Sequence, residues 1–118
     1  MANRRLLRVA GLFREEITDI IRGSVHDPRV TGRDFTIIRV EVSADLAHAD
    51  VHVSTLLKDP ERTALIDGMQ HAAGFIRREL MHRVHIKTVP ALDFQYDGGL
   101  AQSQRIADLL NSLKQENR

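Results

Sequence analysis

At 118 residues, with 42% hydrophobic and 28% charged residues, the chain has the size and balance of one ordinary globular unit, which excludes a low-complexity or disordered protein. It contains no cysteine, which excludes disulfides, thiolate metal sites and a cysteine nucleophile and fits a reducing cytoplasm. The net charge is only +1, but residues 1–34 hold seven arginines against five acids, 35–60 two basic residues against four acids and 61–90 five basic residues against three acids, so one positive face is expected if the two basic stretches meet in space.

The N-terminus, Met1-Ala2-Asn3-Arg4-Arg5, is basic, but Leu6 to Arg14 carries arginines and is not the apolar heart of a signal peptide. No apolar run approaches the roughly 18–20 residues that span a bilayer. Leu6 to Arg22 reads as an amphipathic helix. Leu6, Val9, Ala10, Phe13, Ile17, Ile20 and Ile21 share one face, Arg4, Arg8, Glu15 and Arg22 the other, and Gly23 is a plausible stop. A loop marked by Pro28 and Gly32 follows.

Thr36 to Ser43 and Ala47 to Thr55 alternate as two strands of a hairpin joined through Ser43-Ala44-Asp45-Leu46. Ile38, Val40 and Val42 are expected inward on the first strand, and Ala49, Val51 and Val53 on the second. Asp59-Pro60 reads as a helix start, Asp as the cap and Pro at the first helical position. An apolar stripe then runs through Leu65, Met69, Ala72 or Ala73, Ile76, Leu80 and Val84. Gly74 interrupts it, so a kink or two short helices are expected there. Leu92, Phe94 and Tyr96 alternate as a third strand. Asp97-Gly98-Gly99 turns into a last helix carrying Ile106, Leu109, Leu110 and Leu113 inward. Packing these pieces predicts an α+β unit over residues 1–118, with a core of about 4–113, in the order α-β-β-α-kink-α-β-α. It predicts a three-stranded sheet with helices on one face.

Four motifs in that order resemble the ribosome-binding factor A family, whose fold is a KH type II-like domain. They are Asp27-Pro28-Arg29; Ser43-Ala44-Asp45-Leu46 with Ala49, Val51 and Val53; Ala72-Ala73-Gly74 with Phe75-Ile76-Arg77; and Val89-Pro90-Ala91-Leu92 with Phe94 and Tyr96-Asp97. The resemblance covers residues 4 to about 113. It implies a late-acting maturation factor; the expected compartment is the cytoplasm and the expected state a monomer, with no cofactor and no metal. Such a factor binds the free, immature small (30S) ribosomal subunit, contacts its 16S rRNA, assists 5′-end processing and is associated with growth in the cold. A general KH domain clamps RNA with a Gly-x-x-Gly loop; this chain has Ala72-Ala73-Gly74 there, so that grip does not carry over. Gly99 stands where a serine cap is expected, and the chain ends soon after its last helix, so no contact through a long charged tail is expected.

The foremost RNA-binding candidates are Arg77, Arg78, His82, Arg83, His85 and Lys87, beside Gly74, all read as exposed. Arginine forks match phosphate oxygens, and a helix start near Gly74 favours anions. The bland alternative is a solvated helix face with local pairs through Arg78 or Glu79. Arg4, Arg5 and Arg8 form a second candidate group, against a frayed terminus. Arg29 either docks in a groove or pairs with Asp27. Aromatic residues are few, and Phe13, Phe35, Phe94 and Tyr96 read as buried, so recognition is expected through backbone and shape rather than base stacking.

Catalysis is the rival class. His48, Asp50 and His52 alternate on one strand face and could approach a metal, but a third protein ligand from elsewhere is not marked, and an exposed hairpin face is the favoured reading. No phosphate-binding loop or nucleophile elbow is present. The chain is therefore expected not to be an enzyme. Two other binding readings remain: a generic KH-type single-stranded RNA binder, and a protein-interaction module that reaches the ribosome through a ribosomal protein or a releasing GTPase.

Overall fold

The computed structural model describes residues 4–99. Helix α1 spans Arg4–Ser24 and buries Phe13, Ile17, Ile20 and Ile21. These positions recur every three to four residues, which lays one apolar stripe on the sheet. The helix runs through Gly23, where a stop was expected, because nothing there forces a left-handed backbone. The chain then turns at Asp27, whose carbonyl accepts from the N–H groups of Val30 and Thr31 at 2.8 Å. Gly32, at φ 73°, takes the left-handed conformation that a glycine adopts without strain.

Strands β1 (Thr36–Val42) and β2 (His48–Ser54) pair antiparallel. Their turn is built by side chains. Ser43 Oγ donates to Asp45 Oδ1, which also accepts from the Ala47 N–H, and the His48 N–H donates back to Ser43 Oγ. Leu46 completes the turn at φ 61°. The inward phase of β1 differs from the simple alternation. The register shifts between Ile37 and Arg39, so Ile37 and Val40 are buried while Ile38 is half-buried. A bulge adds one residue to a strand and flips the phase on one side of it, which alternation alone does not reveal.

Helix α2 spans Glu61–His71 and helix α3 Ala73–Arg83. The helix starts one residue later than Pro60, but Asp59 still serves its first turn, since its carboxylate accepts from the N–H and hydroxyl of Thr63. The break falls at Ala72 (φ −85°, ψ 0°) and not at Gly74, which lies inside α3. Strand β3 (Ala91–Tyr96) pairs parallel with the free side of β2, giving the order β1-β2-β3. A parallel pair needs a crossover, and α2 and α3 supply it.

The three described helices cover one face of the sheet. Ala49, Val51 and Val53 of β2 meet Leu65 and Met69 of α2, Ile76 and Leu80 of α3, and the α1 stripe in one core, all fully buried or nearly so. Burying each such side chain contributes about 2 kcal/mol. Phe35 and Phe94 are buried as expected, whereas Tyr96 is half-buried beneath the guanidinium of Arg62, 4.4 Å from its ring centroid. The opposite face of the sheet is uncovered by these helices and polar. The helix expected around Ile106–Leu113 lies outside the described residues. No described helix is long and apolar enough to cross a membrane.

Candidate nucleic-acid interface

Helix α3 points Ile76 and Leu80 into the core. Residues near the opposite side of the helix therefore face outward: Gly74, Arg78 and His82 follow one another at four-residue steps and are all exposed. His85 and Lys87 are exposed on the segment that follows, which is pinned by buried Val84 and Val89.

Arg77 corrects the expectation of a uniformly exposed basic run. It is half-buried, and its Nε donates to the Val89 carbonyl at 2.9 Å, tying the segment before β3 to α3. Arg83 is also engaged: its Nη1 lies 3.2 Å from Glu16 Oε2 on α1. Both are drawn in by partners distant in sequence, which a local charge count does not show.

The Glu16–Arg83 pair also orders the helices. It places the end of α3 against the middle of α1, while Ser24–Pro28 and His71, Ala72 and Phe75 line a common groove at the opposite end. The two helices are thus antiparallel. Arg8 lies eight residues before Glu16, about 12 Å farther along α1, beyond the end of α3. Arg4 and Arg8 are exposed on the side of α1 away from the core. Arg5 is exposed too and has an interaction of its own. Arg78, five residues before Arg83, lies on the other side of the Glu16–Arg83 contact, so the two basic segments both face outward from the helix layer but stand roughly 20 Å apart along it. Among the described residues, the ion pairs of arginine involve Arg29, Arg39 and Arg83, and Arg4, Arg8 and Arg78 face no carboxylate partner.

Arg29 stands apart. Its Nε and Nη2 donate to the Asp27 carboxylate at 2.8–3.3 Å, and its N–H donates to Oδ1 at 2.9 Å. These bonds hold the Asp27 carboxyl down at about 2, below its ordinary 3.8. Of the two readings of Arg29, the geometry favours the local pair, which stiffens the loop after α1. The loop is also clamped by a residue the sequence did not single out. A Cβ on Gly68 would come within 2.7 Å of Val30 Cγ2 and 3.2 Å of Arg29 Cβ, so α2 and this loop touch through a bare backbone. A buried mid-helix glycine is the one signal in the sequence that hints at such an approach. Gly74, by contrast, is exposed, and a Cβ there would meet only Arg78 Nη1, at 3.7 Å.

The groove between the end of α1 and the α2–α3 break encloses about 410 Å³ and is lined by Val25, His26, Asp27, Pro28, His71 and Phe75, among others. Its rim histidines are exposed. The interface as a whole thus offers guanidinium groups on rigid helices, with little aromatic surface. Such a surface can hold phosphates but is poorly equipped to stack successive bases.

A family model described as ribosome-binding factor A matches residues 5–110. A Clostridium novyi protein named ribosome-binding factor A is 39% identical over 118 residues, covering all of this chain and 97% of its own length. A solution NMR structure from Thermotoga maritima, provisionally assigned as a ribosome-binding factor A, superposes with a TM-score of 0.72 at 26% identity, over 84% of this chain and 92% of that one. A Thermus thermophilus ribosome-binding factor A, fitted as a homology model into a cryo-EM map of a 30S complex, superposes with a TM-score of 0.60 at 19% identity, over 75% of this chain and 90% of that one.

Proposed function

The chain belongs to the ribosome-binding factor A family, and from that premise we propose that it binds the free, immature small ribosomal subunit through the outer surface of its helix layer, contacts 16S rRNA there and assists 5′-end processing of the precursor. The observation that carries this reading is that Arg4 and Arg8 of α1 and Arg78 of α3 all face outward from the helix layer, without carboxylate partners among the described residues. His82 and Lys87 extend that face. The Thermus relative, whose complex with 30S was imaged, supports the choice of partner.

The mechanism is binding energy alone. Guanidinium groups held on packed helices fit phosphates at fixed spacing, so one fold of the rRNA is stabilised over its competitors and no bond is made or broken. Such a factor acts as a monomer in the cytoplasm and is not an enzyme. Its removal, by a GTPase or otherwise, needs only that the mature rRNA arrangement no longer present those phosphates. It would matter most in the cold, where misfolded RNA persists.

The test is co-sedimentation with small subunits at graded salt. Phosphate contact makes the logarithm of affinity fall linearly with the logarithm of salt, by roughly 0.7–0.9 per phosphate neutralised. The doubly reversed variant Arg8→Glu/Arg78→Glu should lose binding and show a shallower salt slope. If the folded variant sediments like the wild type, the assigned face is wrong.

A further inference from the structure

We infer that the open face of the sheet holds a divalent transition-metal ion, of the zinc class, between His48, Asp50 and Asp93. The register of β2 and β3 sets Asp50 directly opposite Asp93. Like charges facing each other across a sheet are destabilising unless something offsets them. The same face carries an internal control. Glu41, opposite Asp50 on β1, and Asp97 are bridged by Arg39, at 3.0 and 3.5 Å, with His52 between them. The Asp50–Asp93 pair has no arginine or lysine among the described residues. It has the imidazole of His48, 2.9 Å from Asp50, and the amide of Gln95, which donates to Asp50 at 3.1 Å and to Asp93 at 3.3 Å.

One ligand atom from each of His48, Asp50 and Asp93 already lies within 4.8 Å of the other two. Tetrahedral zinc with bonds of about 2.0–2.2 Å to nitrogen and oxygen needs ligand atoms about 3.3–3.6 Å apart. The side chain of His48 is 53% exposed and that of Asp50 34% exposed, so rotation about their side-chain bonds can close the difference without moving the sheet. Gln95, turned about its last bond, offers its carbonyl oxygen as a fourth ligand; water is the other choice. One imidazole with two carboxylates suits zinc, nickel or manganese better than magnesium or calcium, which favour all-oxygen sets. The third protein ligand, missing from the hairpin alone, arrives from β3 because the crossover brings that strand back parallel to β2. This site lies across the sheet from the helix layer, so it stands or falls independently of the RNA reading.

The experiment is calorimetric titration of the full chain with zinc chloride in the absence of RNA, with thermal melting as the second readout. The wild type should take up one equivalent, and its melting midpoint should rise with zinc, since an ion that binds only the folded state stabilises it. His48→Ala and Asp93→Asn should each weaken uptake at least about tenfold and abolish the rise, while His26→Ala should do neither. Asp93→Asn removes charge but keeps shape, and carries the test alone should His48→Ala fail to fold. No saturable uptake by the wild type up to about 1 mM zinc, a binding energy near 4 kcal/mol, overturns the inference. So does uptake by both variants at the wild-type affinity.

Discussion

On the outer face of the helix layer, Arg4, Arg8 and Arg78 project from α1 and α3 and meet no carboxylate among the described residues. On the open face of the sheet, Arg39 lies 3.0 Å from Glu41 and 3.5 Å from Asp97, and His48 lies 2.9 Å from Asp50. Both faces are charged, yet only the first leaves its cations available to an outside anion. The difference comes from spacing. On a helix, neighbours on one face are three or four residues apart, and the outward positions of α3 pair Arg78 with Gly74 and His82 rather than with an acid. On the sheet, residues two apart on a strand share a face, so Arg39 reaches Glu41 and His48 reaches Asp50 along their own strands. A net charge near zero therefore hides one face with unpaired arginines among the described residues and another whose arginine is held by carboxylates.

Reversing charge on one face and neutralising it on the other should separate the two. Arg8→Glu with Arg78→Glu should lower small-subunit affinity at least about tenfold, from two lost phosphate contacts and added repulsion. Glu41→Gln on the sheet should leave it within about twofold, and equal losses in a sedimentation assay would show that the faces do not differ. A second comparison separates two adjacent arginines. Arg77→Met should cost about 1–2 kcal/mol in denaturant unfolding, because the buried Val89 carbonyl loses its charged donor. Arg78→Met should leave stability unchanged within about 0.5 kcal/mol and weaken binding instead.

Gly74→Ala separates backbone from side-chain contact. With only Arg78 Nη1 in ordinary contact at 3.7 Å from its Cβ position and a helical backbone, alanine should stabilise the fold by about 0.5–1 kcal/mol. Reduced subunit binding by this more stable variant would show that RNA approaches the backbone there; unchanged binding would assign the face to side chains alone. The smallest effect is expected at Asp27. Its folded pKa of about 2 is below the ordinary 3.8 because Arg29 donates to it. The pair therefore contributes stability that is fully present above about pH 4 and is lost as pH falls through about 2. Asp27→Asn should flatten the acid limb of a stability–pH curve in that window and leave neutral-pH binding to subunits intact.

How legible each part was depends on how local its cause is. The stripe Phe13, Ile17, Ile20 and Ile21 and the inward set Ala49, Val51 and Val53 follow from helical and strand periodicity, and both were readable from the sequence. The phase of β1 was not, because the bulge beside Ile37 arises from how two strands pair. The break at Ala72 was displaced by two residues from Gly74, since glycine propensity marks where a helix can bend and packing decides where it does. Of the basic run after the break, the sequence located every member, but the free state of Arg78 and the engaged states of Arg77 and Arg83 depend on a returning segment and on a neighbouring helix.

Residues close together along the chain carry the helix and strand patterns over 4–99, the family motifs and the two basic segments. Folding sets which arginines remain available, the antiparallel run of α1 and α3, and the position of Asp93 opposite Asp50. Those facts depend on contacts between residues tens of positions apart, and such contacts are fixed by how the apolar stripes pack together rather than by any local pattern.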